Sequence, residues 1–178
     1  MKAPAILTLC TLLISAVVTT GCIRYVETRT DSAGISPIIP AQYLLVSPEN
    51  VSSPELSLTQ NLVANRLAAK GFSAAPNGVL YLQVGASIRP AALALTKPGG
   101  ILAQADTKLG ASKKCDWNEY RITLALTEIA GGREVYRSSA GEYHCKESFA
   151  DTLPQLVGAA MADLGNPRGP IKTKRKLN

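Results

Sequence analysis

One histidine, four cysteines and two carboxylates flanking a tryptophan are the residues of this chain best equipped for chemistry. A nucleophile–base pair needs a His, or a comparable base, within reach of a Ser or Cys. His144 is the single His and stands beside Cys145, a cysteine expected to be oxidised, so it reads as a surface His and not as half of a dyad. Asp116 and Glu119 bracket Trp117, and carboxylates next to an aromatic ring suit glycoside cleavage. Their spacing is local, however, and polar residues are expected at the mouth of a strand in any case. Gly99-Gly100 and Gly131-Gly132 lack the Lys-Ser/Thr of a phosphate-binding loop and the spaced glycines of a dinucleotide fold. They read as turns. Cys115, His144 and Cys145 supply too few ligands for a closed zinc site. The sequence therefore predicts no catalytic residue, no metal and no cofactor, and the expected class is a non-enzyme.

The chain opens with MKAPAILTLCTLLISAVVTTGC: a Lys, an apolar run from Ile6 to Val18, then small residues and Cys22. Charged end, apolar middle and small residues before a cleavage point form a signal peptide. The run falls short of the ~20 residues with which a helix crosses hydrocarbon. Thr19-Thr20-Gly21-Cys22 resembles the lipobox of bacterial lipoproteins, with Thr19 where that motif usually has an aliphatic residue. Ordinary signal peptidase could cut the same bond. The resemblance implies removal of residues 1–21 and fatty acylation of Cys22. With Ile23 and not Asp next in line, it also implies sorting to the periplasmic face of a Gram-negative outer membrane. Cys10 leaves with the signal; if Cys22 carries lipid, Cys115 and Cys145 remain as an even pair in a compartment that permits a disulfide, and if it does not, one thiol is left over.

These residues need a scaffold, and the chain beyond the signal is long enough for one domain. Residues 22–40 hold Thr, Ser, Gly and two prolines and read as a flexible tether. A single domain is expected over 41–166. In it, residues 42–47 have strand character. Ser52 and Glu55 form a capping-box pattern that starts a helix running to about Lys70 and stopping at Gly71. Residues 79–88 alternate strictly, with Leu80, Leu82, Val84, Ala86 and Ile88 on one face. This strand–helix–strand unit suggests parallel pairing. Residues 89–116 break the pattern and read as a long surface loop, or as a flap in which ALAL and ILA fold over a Pro-Gly-Gly turn.

Residues 117–143 carry the clearest hairpin, with Tyr120, Ile122, Leu124 and Leu126 on one face and Ala130-Gly131-Gly132-Arg133 as the turn. If Ala130 faces Arg133, the register brings Cys115 and Cys145 to the open end within a small shift of each other, which predicts a disulfide. A second helix should come next, capped by Asp151 or Thr152, with Pro154 in its first turn and a stripe of Leu153, Val157, Ala160 and Leu164. Residues 167–178 read as a disordered basic tail. The net charge of +6 and the tail's Arg168, Lys172, Lys174, Arg175 and Lys176 offer contact with an anionic surface. No motif of the recognised nucleic-acid modules is present, and no nucleic-acid partner is expected.

The layout strand, helix, three strands, helix behind a lipobox, together with LALTEIAGGREVYRSSAGE, resembles small Gram-negative envelope lipoproteins of unknown function. Glu128, Gly131-Gly132, Tyr136 and Ala140 stand at the places that carry the likeness. The expected fold is α+β: a small mixed sheet of about four strands, two helices on one face, and a C-terminal hairpin stapled by a disulfide. The expected role is that of a lipid-anchored periplasmic accessory or scaffolding protein. Its partner would be an envelope protein, or an anionic glycan or lipopolysaccharide. The alternatives are a lipid or glycolipid carrier with a flap-covered hydrophobic groove, and an envelope hydrolase with an unrecognised site.

Overall fold

The computed structural model describes residues 25–47, 53–91, 94–97, 100–104 and 115–177; for 94–97 and 100–104 it describes the backbone. The signal segment 1–21 and Cys22 lie outside the described residues, so both readings of the N-terminus stay sequence-based. The elements run β1 (Tyr25–Gly34), β2 (Gln42–Val46), α1 (Pro54–Ala68), β3 (Ser73–Ala74), β4 (Leu80–Pro90), β5 (Ala94–Lys97), β6 (Gly100–Gln104), β7 (Asn118–Glu128), β8 (Glu134–His144), α2 (Phe149–Met161) and β9 (Ile171–Lys176).

Seven strands form one sheet in the order β3-β2-β4-β7-β8-β1-β9, and β5 and β6 pair separately. This overturns the expected four-stranded α+β sheet: the domain is predominantly β. The extra strands come from segments read as unstructured. The supposed tether contains β1, which adds antiparallel to β8, and the supposed tail contains β9, which adds antiparallel to β1. Neither strand carries an apolar stripe. The residues that β1 turns toward the helices after Val26 are Thr28, Thr30 and Ser32, whose hydroxyls find acceptors in β8, in β9 and beyond α2. Within the expected loop 89–116, β5 and β6 form a hairpin of their own.

The strand–helix–strand unit pairs as its length suggests, β2 parallel to β4. Helix α1 starts one residue later than the capping-box reading, because Ser53 is the N-cap and its hydroxyl accepts from the Leu56 N–H at 3.1 Å. Gly71, at φ 87°, lies in the turn after the helix. Helix α2 starts earlier than expected, capped by Ser148, which leaves Pro154 inside the helix and not in its first turn. Both helices pack on each other and on one face of the sheet. Alternation puts Leu82, Leu126 and Tyr136 in one cross-strand row on that face, all fully buried. Leu153, Leu156 and Val157 of α2 and Val63 and Leu67 of α1 close over it. Each such side chain contributes roughly 2 kcal/mol relative to exposure.

The β7–β8 hairpin turns where the glycines predict. Gly132 has φ 66°, a conformation Gly adopts without strain, and Arg133 pairs with Glu128 across the turn. At the far end Cys115 and Cys145 are disulfide-bonded, with Cα atoms 5.7 Å apart.

Candidate functional site

Both helices pack on one side, and among the described residues no helix covers the other face of the sheet. Its composition is set by the odd-numbered positions of β4, β7, β8 and β1. A central row runs across the strands as Gly85, Thr123, Ser139 and Asp31. All four are small, so the row is a trough. A Cβ on Gly85 would stand 2.6 Å from the Thr123 hydroxyl, so any larger residue would displace that side chain. On one side lies the row Ser87, Arg121, Gly141, Arg29 and Lys172. On the other lies Gln83, Ala125, Arg137 and Ala33. The trough opens into a cavity of about 510 Å³ lined by residues that include Asp31, Gly85, Arg121, Thr123, Arg137 and Ser139. A second hollow of about 400 Å³ shares Asp31, Arg121 and Ser139 and reaches Arg29 and Lys172. Hydroxyls line the middle, guanidinium and ammonium groups stand around it, and Asp31 supplies one carboxylate.

Arg121 is held in place by Glu119. The guanidinium lies over Gly141, where a Cβ would come within ordinary contact at 3.5 Å. Its Nε and Nη2 donate to Glu119 Oε1 at 3.0 and 2.5 Å, while Arg89 Nε donates to Oε2 at 2.5 Å. Burial alone would raise the Glu119 carboxyl. Its two arginine partners outweigh that and hold it below the usual carboxylate range. Both oxygens are engaged, so Glu119 serves as an anchor for two cations. Asp116 is exposed in the turn before β7.

The histidine contradicts its sequence reading. His144 is buried at 1% exposure, not on the surface, on the helix-covered side. Its ring stacks on Tyr120 with centroids 5.3 Å apart. Nε2 lies 2.7 Å from Glu142 Oε2 and Nδ1 lies 3.4 Å from Glu147 Oε2. Glu142 is fully buried and also accepts from Thr28 Oγ1 at 2.5 Å and from Arg175 at 3.0 and 2.7 Å. Burial pushes this carboxyl up, but His144, Arg175 and Thr28 together hold it down to about 2. The cluster joins β8, β1 and β9, with His144 and Glu142 buried and Arg175 and Glu147 part-exposed at its edge.

The five basic residues of the expected tail are thus divided. Arg175 is turned inward onto Glu142. Arg168 is paired with buried Asp163, at 2.6 Å from Nη2, and its backbone N–H donates to Ser32 Oγ. Lys172, Lys174 and Lys176 stand opposite Arg29, Glu27 and Tyr25 and share the open face. Lys172 approaches Glu27 at 3.8 Å, and Arg29, paired with Glu27 at 2.7 Å, lies over the Tyr143 ring. Alternation in β9 could have been read from IKTKRK, but only with the partner strand known. Asp31, Arg121, Thr123, Arg137 and Ser139 escape sequence reasoning because they come from separate strands with no shared motif. Among the described residues, no group of three or more His, Cys, Asp and Glu side chains could hold a metal. No described helix is long and apolar enough to cross a membrane.

Among the described residues the domain is therefore a helix-backed β-sheet whose second face is polar and carries no helix. No protein-family model matches the chain, and no curated protein matches it in sequence. Among solved structures, a PDZ domain protein from Parabacteroides distasonis aligns with a TM-score of 0.57 at 9% identity, over 85% of this chain. This chain spans 39% of that protein's length, and the likeness is one of fold alone. PelC dodecamers from Paraburkholderia phytofirmans align with a TM-score of 0.47, at 14% and 13% identity, covering 83% and 79% of this chain and 100% and 99% of PelC.

Proposed function

We propose that this chain is a lipid-anchored accessory protein of the bacterial envelope, held by Cys22 on the periplasmic face of the outer membrane, and that its open sheet face binds an anionic envelope partner without catalysis. The observation that carries this reading is the uncovered face itself: a trough of small hydroxylated residues flanked by Arg29, Arg121, Arg137 and Lys172. A sheet face that no described helix covers and that is lined with cations, of which Arg121 is held in place by Glu119, is suited to recognition by charge and hydrogen bonding. The Cys115–Cys145 disulfide supports an oxidising compartment. The polar lining favours a glycan or an acidic protein surface over an acyl chain.

The test is photo-crosslinking in intact cells, with the reactive side chain at Ser139 in the trough or at Leu58 on the outer side of α1. A partner captured from Ser139 and not from Leu58, and lost in the Arg137→Glu/Lys172→Glu variant, supports the reading. Equal capture from both positions, or capture indifferent to the charge reversal, overturns it. Intact-mass measurement of the native protein tests the anchor separately, since an acyl addition at Cys22 is required.

A further inference from the structure

One ribbon of this chain has no place in the sheet. β5 and β6 pair with each other, Leu95 opposite Ala103 and Thr96 opposite Ile101, and stand apart from the seven-stranded sheet. Apolar residues fill consecutive positions in both strands, Ala94-Leu95 and Ile101-Leu102-Ala103. A ribbon resting on one surface needs them only at alternate positions. A lone two-stranded ribbon is also marginal in water. Its apolar composition, and a backbone that pairs only with itself among the described strands, suit it to an apolar environment.

The topology fixes where this ribbon is rooted. It leaves β4 at Pro90, which pairs with Asn118 at the start of β7, and the Ala91 N–H donates to the Trp117 carbonyl at 2.8 Å. Asn118 pairs with His144, the last residue of β8. Strand β1 runs antiparallel to β8, so Tyr25 begins β1 at this same end. β4 and β1 are three strand spacings apart, about 14 Å. Cys22 is three residues before Tyr25, a reach of at most ~11 Å of extended chain. Tyr25 and Pro90 therefore stand at the same end of the sheet, about 14 Å apart, with Cys22 within a short reach of Tyr25 along the chain. At that end stand Tyr25, 64% exposed, Lys176 opposite it, and exposed Lys146. An exposed Tyr among lysines is the composition of a membrane–water interface.

We propose that this end of the sheet lies on the phospholipid bilayer, with the β5–β6 ribbon entering the headgroup–acyl boundary as an apolar finger and Tyr25, Lys146 and Lys176 meeting anionic headgroups. This rests on the reading that Cys22 carries lipid, because that attachment brings this end to the membrane. The finger then supplies the second contact that makes a lipid anchor firm and sets the orientation of the domain. The open binding face would stand across the membrane plane, not flat against it.

The test uses the mature chain with Cys22→Ser, which removes the lipid and leaves the finger. Flotation with vesicles of phosphatidylethanolamine and phosphatidylglycerol should carry the protein upward, and vesicles of phosphatidylcholine alone should carry less. Leu95→Asp/Ile101→Asp should weaken the binding about tenfold or more. Ile129→Asp, at the turn on the opposite end of the sheet, should leave it unchanged. As a measurement that does not depend on disrupting the ribbon, an environment-sensitive dye on Ala103→Cys should brighten and shift to the blue on vesicle addition, while the same dye on Ile129→Cys should not. No flotation, equal losses at both ends, or no dye response at position 103 overturns the finger. An unacylated native protein in the mass spectrum overturns the anchor instead, so the two failures are distinguishable.

Discussion

Glu142 is the side chain on which the C-terminal end of the fold turns. It is a buried carboxylate with partners from three strands: Thr28 on β1, Arg175 on β9 and His144 on its own β8. Removing one partner of a buried charge costs more than the pair contributes, because the remaining charge keeps its desolvation penalty. Arg175 is 28% exposed, so water relieves part of that penalty. Arg175→Ala should lower stability by about 2–3 kcal/mol in denaturant unfolding. The pH dependence has a definite sign. The folded carboxyl sits at about 2 against an ordinary 4.5, so the site stabilises the folded state above about pH 4.5. That contribution, of order 3 kcal/mol, is lost as the pH falls toward 2. Thermal unfolding of the wild type between these pH values should show the loss, and Glu142→Gln should make it shallower, leaving the part that Glu119 contributes. A wild-type profile already flat across this window would show that the partners do not hold the charge as the geometry requires.

At the scale of elements, legibility tracks the apolar stripe. The β7–β8 hairpin announces itself through Ile122, Leu124 and Leu126 and a two-glycine turn, and its register is close enough to predict the disulfide from arithmetic. Helix α2 is legible through Leu153, Val157 and Ala160, though its start is set by Ser148, whose capping role no periodicity reveals. β1 and β9 are illegible because they are held by polar contacts. Thr28 and Ser32 are buried but hydrogen-bonded to Glu142 and Asp163, and β9 reads as Lys-rich solvated chain until Glu142 is known to face Arg175. Charged residues on an edge strand also discourage pairing with other chains, which makes such a strand resemble a tail. Truncation before Ile171 should therefore behave unlike loss of a tail. It removes six paired residues and the Arg175 contact, so backbone amides of β1 should exchange hydrogen markedly faster while those of β4 and β7 stay protected. Unchanged exchange in β1 would return β9 to the status of an appendage. Reducing the Cys115–Cys145 bond, which spans 30 residues, should cost about 3–4 kcal/mol on chain entropy. It should leave the hairpin register intact, since the cross-strand pairs set that register.

Taken whole, the molecule divides its labour by face. One side of the sheet is committed to stability, with aliphatic residues under two helices. The other, which no described helix covers, carries Arg29, Arg121, Arg137, Lys172, Lys174 and Lys176 against Glu27, Asp31 and Glu119. If this face binds an anionic ligand as proposed, the attraction acts over a distance set by ionic strength, with a Debye length of about 10 Å at 0.1 M salt. Fixed cations in a row contribute to association rate as well as affinity. Binding of a polyanionic glycan such as heparin should therefore weaken steeply as salt rises. Arg137→Glu/Lys172→Glu should reduce both the affinity, by about tenfold or more, and the steepness of that salt dependence. The same substitutions should leave unfolding nearly unchanged, because exposed ion pairs such as Arg137 with Glu134 and Lys172 with Glu27 contribute little to stability. The contrast lies in Arg121, whose loss frees the buried Glu119 from one of two partners and should lower both stability and binding. If charge reversal at 137 and 172 destabilised the fold as much as it weakened binding, the open face would be part of the scaffold. If neither quantity moved, the cations on it would have no bearing on what this sheet holds.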